Sequence, residues 1–121
     1  MAEWRKVKTS NILLCIVNGE FAGYAVIQGN TSSRTKHVAA LRIGVVESFQ
    51  RIGIGSALLT QAEQWCQNHQ IERLEVHILA HNENAKSLFE KHNYVCEGVR
   101  KSSFKLDDEL FDELYYSKFL N

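Results

Sequence analysis

Proline is absent from all 121 residues. With no repeat and no low-complexity segment either, nothing in the composition divides the chain, and one domain over residues 1–121 is expected. Net charge is absent too. Lys and Arg number 14 against 14 Asp and Glu, with a sequence pI near 7.0, which speaks against a polyanion binder and leaves no nucleic-acid partner to expect. No apolar run approaches the ~20 residues that cross a bilayer. The start, Met1-Ala2-Glu3-Trp4-Arg5-Lys6, lacks the apolar centre of a signal peptide, so no membrane partner is expected. Cysteine is sparse: Cys15, Cys66 and Cys96 stand far apart without a C-x-x-C pair, as reduced thiols of a cytoplasmic protein do.

What the chain does have is a β-branched strand that runs through a glycine turn into an amphipathic helix, Val45-Val46-Glu47-Ser48-Phe49-Gln50-Arg51-Ile52-Gly53-Ile54-Gly55-Ser56-Ala57-Leu58-Leu59. The first N–H groups of a helix lack internal partners and share the positive end of the macrodipole, so such a junction suits an anion. Gly53 and Gly55 would let a phosphate approach the backbone without meeting a side chain. A Walker-type loop is excluded because no lysine follows either glycine at the required spacing. The dinucleotide fingerprint fails at Leu58, where Gly or Ala is required.

Gln50-x-x-Gly53-x-Gly55 resembles the Q/R-x-x-G-x-G/A pyrophosphate loop of the GNAT superfamily of acyl-CoA-dependent N-acetyltransferases. Downstream, Asn82-Glu83-Asn84-Ala85-Lys86-Ser87-Leu88-Phe89-Glu90-Lys91-His92-Asn93-Tyr94 is similar to that family's N-x-x-A-x-x-L-Y-x-K-x-G-F helix, and Glu97-Gly98 follows. The resemblance spans roughly residues 12 to 120. It implies a mixed-sheet α/β fold (α+β in arrangement), GNAT-like but amino-terminally shortened: the family's usual first strand and two helices have no counterpart in this reading.

The coarse pattern is strand, strand, strand, helix, strand, helix, strand, strand. Ile12–Val17 and Phe21–Ile27 are apolar runs joined by Asn18-Gly19, a hairpin signal. His37–Val46 is a strand, and Gly53–His69 carries apolar residues at helical spacing. Arg73–Leu79 is a strand, Asn84–His92 a helix, and Tyr94–Leu106 with Leu110–Leu120 a hairpin over Asp107-Asp108. A right-handed crossover places both helices on one face of the sheet. Ile12–Val17 and Val38–Leu41 do not alternate, so both their faces expect burial. With the usual covering helices missing, a homodimer is expected, its interface including Ile12–Val17 or Phe21–Ile27 and Trp4. The run Arg5-Lys6-Val7-Lys8 reads as solvated.

The resemblance implies acetyl-CoA as co-substrate and no metal. Backbone groups around Ile43–Val46, Val45 and Val46 among them, would pair with the pantetheine amides. The N–H groups of Arg51, Ile52, Gly53, Ile54, Gly55 and Ser56 would hold the pyrophosphate, with Gln50 and Arg51 at its edge. Asn82 would cap the second helix and touch the pantetheine arm, against which the ring of Phe89 would pack.

A primary amine with pKa ~10.4 is largely protonated at pH 7, which costs about 4–5 kcal/mol against attack. A base helps. His77 stands where some relatives carry a catalytic glutamate, and imidazole suits the task; an ordinary strand histidine is the alternative. Glu47 is a second candidate base. The family's usual acid is the tyrosine at position 89, but phenylalanine stands there and cannot protonate a leaving thiolate, so Tyr115 and Tyr116 are candidate substitutes. His77 and His81 lack the helical H-E-x-x-H setting of a metal site. Asn93 replaces a glycine at a helix end, a position asparagine tolerates in the left-handed conformation.

The expected function is transfer of an acetyl group from acetyl-CoA to a primary amine of a small molecule by direct attack on the thioester. A protein N-terminal or lysine acetyltransferase, or a non-catalytic acyl-CoA-binding module, are the alternatives.

Overall fold

A computed structural model of the chain describes the backbone of residues 2–7 and residues 11–120 in full. Seven strands form one sheet: β1 (Ala2–Val7), β2 (Ile12–Val17), β3 (Glu20–Gly29), β4 (Val38–Val45), β5 (Arg73–Leu79), β6 (Val95–Leu106) and β7 (Glu109–Phe119). Their order across the sheet is β1-β2-β3-β4-β5-β7-β6. Two helices, α1 (Ile54–Asn68) and α2 (Glu83–Lys91), interrupt the strands. Among the described residues no helix is long and apolar enough to cross a membrane.

β2 and β3 turn through Asn18 (φ 51°) and Gly19 (φ 82°). Positive φ at both central residues matches the right-handed twist of the flanking strands, which is why Asn-Gly closes this hairpin. β1 adds a strand that the sequence pattern did not reveal, antiparallel to β2 with Trp4 opposite Cys15. Arg5, Lys6 and Val7 belong to this strand, and Lys8 lies outside the described residues.

The parallel pair β4–β5 is brief. It holds Val38 against Arg73, Ala39 against Leu74 and Ala40 against Glu75, and ends there. β3 stays with β4 as far as Val45, and β7 stays with β5 as far as Leu79. The sheet is consequently continuous on both sides and split in the middle, and Ile43, Val45 and His77 lie on the two strands that part there.

α1 and α2 lie side by side on one face, as a right-handed crossover requires. His92, which ends α2, places its Nε2 3.0 Å from Ser56 Oγ in the first turn of α1, and Tyr94 donates to Glu63 Oε2 of α1 at 2.8 Å. Between helices and sheet, Leu58, Leu59, Ala62 and Cys66 of α1 meet Ala25, Ala39, Leu74 and Val76, all buried. The alanines keep the strands' helix-facing surface low, so the large leucines can fill it.

Across the sheet, the expectation of burial on both faces of Ile12–Val17 is met only in part. Cys15 is fully buried, while the other residues of β2 are half-buried. Leu13 and Val17 pack against the core; Ile12, Leu14 and Ile16 alternate onto the open face.

Candidate functional site

Where β4 and β5 separate, a cleft of about 710 Å³ passes between them. Strand alternation assigns its walls. Ala40 and Glu75 are rung partners, so Arg42 and His77, two residues on, share their face. Val26 sits opposite Arg42 and Glu113 opposite Leu79, which puts them on that open face as well. The helix side is lined by Leu41, Ile43, Val76, Ile78, Asn82, Ala85 and Phe89. One cleft therefore has an apolar entrance beside the helices and a charged entrance on the open face.

Backbone direction alternates as side chains do. The N–H of Val46 donates to Ala22 O at 2.8 Å and the carbonyl of His37 accepts from Arg73 on the other side, so odd-numbered residues of β4 turn their polar groups toward β5. The expected free edge over Ile43–Val46 thus narrows to Ile43 and Val45, since Val46 is committed to β3. Val45 O itself accepts from Gln50 Nε2 at 3.2 Å, which ties the following loop back onto the strand. Gln50 thus braces the loop that leads to α1.

The loop passes through a short 3-10 turn, Glu47–Phe49, then through Arg51 and Gly53 in the left-handed region at φ 66° and 89°. Gly53 is the N-cap of α1 and no side chain caps that end. The first helical bond runs from Ala57 N to Gly53 O, which leaves the N–H groups of Ile54, Gly55 and Ser56 as the open donors. The two glycines have different reasons. A Cβ on Gly53 would meet nothing within 4 Å, so its positive φ is what selects glycine; a Cβ on Gly55 would lie 3.2 Å from Leu88 Cδ2, so close contact between α1 and α2 selects it. Arg51 and Ile52 are exposed, with Ile54 buried beneath them.

Asn82 Oδ1 accepts from Ala85 N at 3.1 Å and caps α2, while the residue also lines the cleft. Phe89 is 6% exposed and meets Tyr94 edge-on with ring centroids 5.2 Å apart, so its ring forms part of the cleft floor. His77 is exposed at the open entrance, its ring 4.1 Å from that of Tyr115.

Other candidates separate from this constellation. Glu47 is exposed in the 3-10 turn and is not one of the residues lining the cleft. Tyr116 points to the helix side, where it donates to Glu90 Oε2 at 2.8 Å; burial and the Glu90 carboxylate push its phenol up to about 12. Tyr115 is covered by Arg100, 5.3 Å from the ring centroid. His81 stacks on Phe111 instead, and among the described residues no group of three or more His, Cys, Asp and Glu could hold a metal ion.

Several cleft residues had no local signal. Gln28, Arg42, Phe104 and Glu113 come from four strands, and only the sheet order brings them to one opening. Farther along the open face, Arg73 donates to Glu75 at 3.0 Å and to Glu97 at 3.1 Å. The bond from Arg73, with one from Ser117, holds the Glu97 carboxyl down at about 2.

A split parallel pair beside an uncapped glycine-turn helix agrees with the family comparison, in which residues 1–94 match the model of the acetyltransferase (GNAT) family. The chain belongs to that family. Among curated relatives, the L-amino acid N-acetyltransferase AaaT of Escherichia coli is 25% identical over 107 residues, 88% of this chain and 66% of its own length. A GNAT-family acetyltransferase from Streptococcus pneumoniae superposes with a TM-score of 0.86 at 28% identity, covering 91% of this chain and 66% of that one. The yncA protein of Salmonella typhimurium, solved with its cofactor acetyl-CoA, superposes at 0.85 with 15% identity, over 91% of this chain and 64% of that one, a likeness of fold. The chain thus spans about two thirds of the length of these proteins.

Proposed function

We propose that the protein is an acetyl-CoA-dependent N-acetyltransferase acting on a primary amine of a small molecule. The observation that carries this reading is the cleft through the split sheet, with His77 among its walls, on a chain whose following helix α1 starts at Gly53 with no side-chain cap. The residues present suit acetyl-CoA. The free N–H groups of Ile54, Gly55 and Ser56 favour its pyrophosphate, Ile43 and Val45 offer backbone groups to its amides, and Phe89 and Asn82 border the pantetheine path. What the bound co-substrate supplies is an activated acetyl carbon.

At the open entrance, the acceptor nitrogen forms the new bond to that carbon as the carbon–sulfur bond breaks, and the electron pair leaves on sulfur. His77, at hydrogen-bonding reach of solvent, takes the proton the nitrogen loses, directly or through water. Phe89 gives the sulfur no proton, so solvent supplies it; thiols with pKa near 8.5 leave adequately without help. A small-molecule acceptor is favoured over a protein by the L-amino acid specificity in the name of the Escherichia coli relative.

Assembly follows from the open face. A second copy packs on the half-buried Ile12, Leu14 and Ile16 and on Phe21, which is 48% exposed, giving a two-fold homodimer in the cytoplasm. The side chain of Trp4, expected in that interface, lies outside the described residues. The enzymatic reading is tested by incubating the protein with acetyl-CoA and a panel of amines and identifying N-acetylated products by mass spectrometry. Absence of any product while acetyl-CoA binds would favour a binding module instead.

A further inference from the structure

The open entrance of the cleft carries charges of both signs on opposite walls, and among the described residues neither forms an ion pair with a protein counter-charge. Arg42 is exposed on the β4 wall. Its rung partner on β3 is Val26, which carries no charge, and among the described residues its guanidinium forms no ion pair or hydrogen bond. Glu113 stands on the β7 wall. Its Oε1 accepts from Ser103 Oγ at 2.7 Å, a neutral donor that fixes the carboxylate without neutralising it. The nearest register cation, Arg100, is opposite Glu113 but stands over the Tyr115 ring instead. His77 lies between the two walls on β5, facing the same way.

Resting on the acetyltransferase reading above, we propose that this entrance selects a zwitterionic amino acid: Arg42 holds the acceptor's carboxylate, and Glu113 draws its ammonium toward His77. A guanidinium presents paired donors that fit a carboxylate. The walls behind both charges, Val26, Leu79 and Phe104, are apolar, so the field between them is less screened than on an open surface. A plain amine would satisfy Glu113 and leave Arg42 unpaired. A peptide or protein amine carries no carboxylate next to the reacting nitrogen and would do the same. Arg42 and Glu113 are thus specificity-determining residues, and His77 remains the proton acceptor.

The test compares three acceptors of one side chain, L-methionine, L-methioninamide and the decarboxylated amine 3-(methylthio)propylamine, by acetyl-CoA-dependent thiol release. The expected result is a kcat/KM for the acid at least tenfold above the other two. Arg42→Gln should bring the acid-to-amide ratio close to one, mainly by raising KM for the acid, and Arg42→Lys should restore part of the preference. Equal turnover of acid and amide by the native protein, or an acid-to-amide ratio unchanged in Arg42→Gln, would overturn the assignment. If no acceptor at all is acetylated, the acetyltransferase reading fails separately. The selectivity is then decided by calorimetry with the same three compounds: preferential binding of the acid that Arg42→Gln abolishes upholds it, and equal or absent binding overturns it.

Discussion

His77 and Tyr115 face each other across the β5–β7 rung with ring centroids 4.1 Å apart and planes tilted by 32°. The contact holds the imidazole against the β7 side of the cleft entrance, where an acceptor nitrogen would arrive. His77→Ala should therefore lower kcat/KM by roughly 10²–10⁴ with acetyl-CoA affinity retained. Glu47→Ala, outside the cleft walls, should change it little. Steady-state kinetics of both variants check this, and equal activity of both with the native protein would leave water as the base.

Gly53 occupies a left-handed conformation at the start of α1, with empty space where a side chain would begin. Valine there combines a strained φ, costing about 1–3 kcal/mol, with a branched group over the open N–H donors. Gly53→Val should still fold and should lose acetyl-CoA binding by calorimetry. An unchanged affinity in a folded variant would move the pyrophosphate elsewhere.

Phe89 fills the cleft floor where the family's tyrosine would supply a proton. Phe89→Tyr should raise kcat if protonation of the leaving thiolate limits the rate, at a stability cost of about 1–3 kcal/mol if the new hydroxyl finds no partner. Thermal unfolding and turnover measured together separate the two effects.

Glu97 is bonded by Arg73 and Ser117, which lower its carboxyl from 4.5 to about 2. A carboxyl whose folded pKa is depressed stabilises the fold above its unfolded pKa, and that contribution fades as the pH falls from about 4.5 toward 2. Because the pair is half-exposed, solvent screens it and the effect is small. Glu97→Gln should flatten the loss of Tm between pH 5 and pH 2 relative to the native protein.

The open face beside β2 should bring two copies together. Light scattering at micromolar concentration should give twice the 13.8 kDa chain mass, with a Tm that rises with concentration. A stable monomer with concentration-independent unfolding would contradict the dimer.

Features encoded within a few residues were legible in the sequence. Asn18-Gly19 predicted a hairpin because few residues tolerate two positive φ angles, while the cap that the Asn82 side chain makes was implied by the family resemblance. The strand β1 was hidden because Ala2–Val7 is short and rich in charge. The reason for Gly55 was hidden because Leu88 comes from another helix. Arg42 and Glu113 were invisible for the same cause, since their meeting depends on where β4 leaves β5 and on β7 inserting beside it.

The central claim, acetyl transfer through one cleft, is tested most directly by thiol release from acetyl-CoA with and without an amine acceptor. Release that rises with acceptor concentration and saturates, above a low acceptor-free rate, is the predicted result. Tight binding of acetyl-CoA with release that no amine accelerates would contradict it.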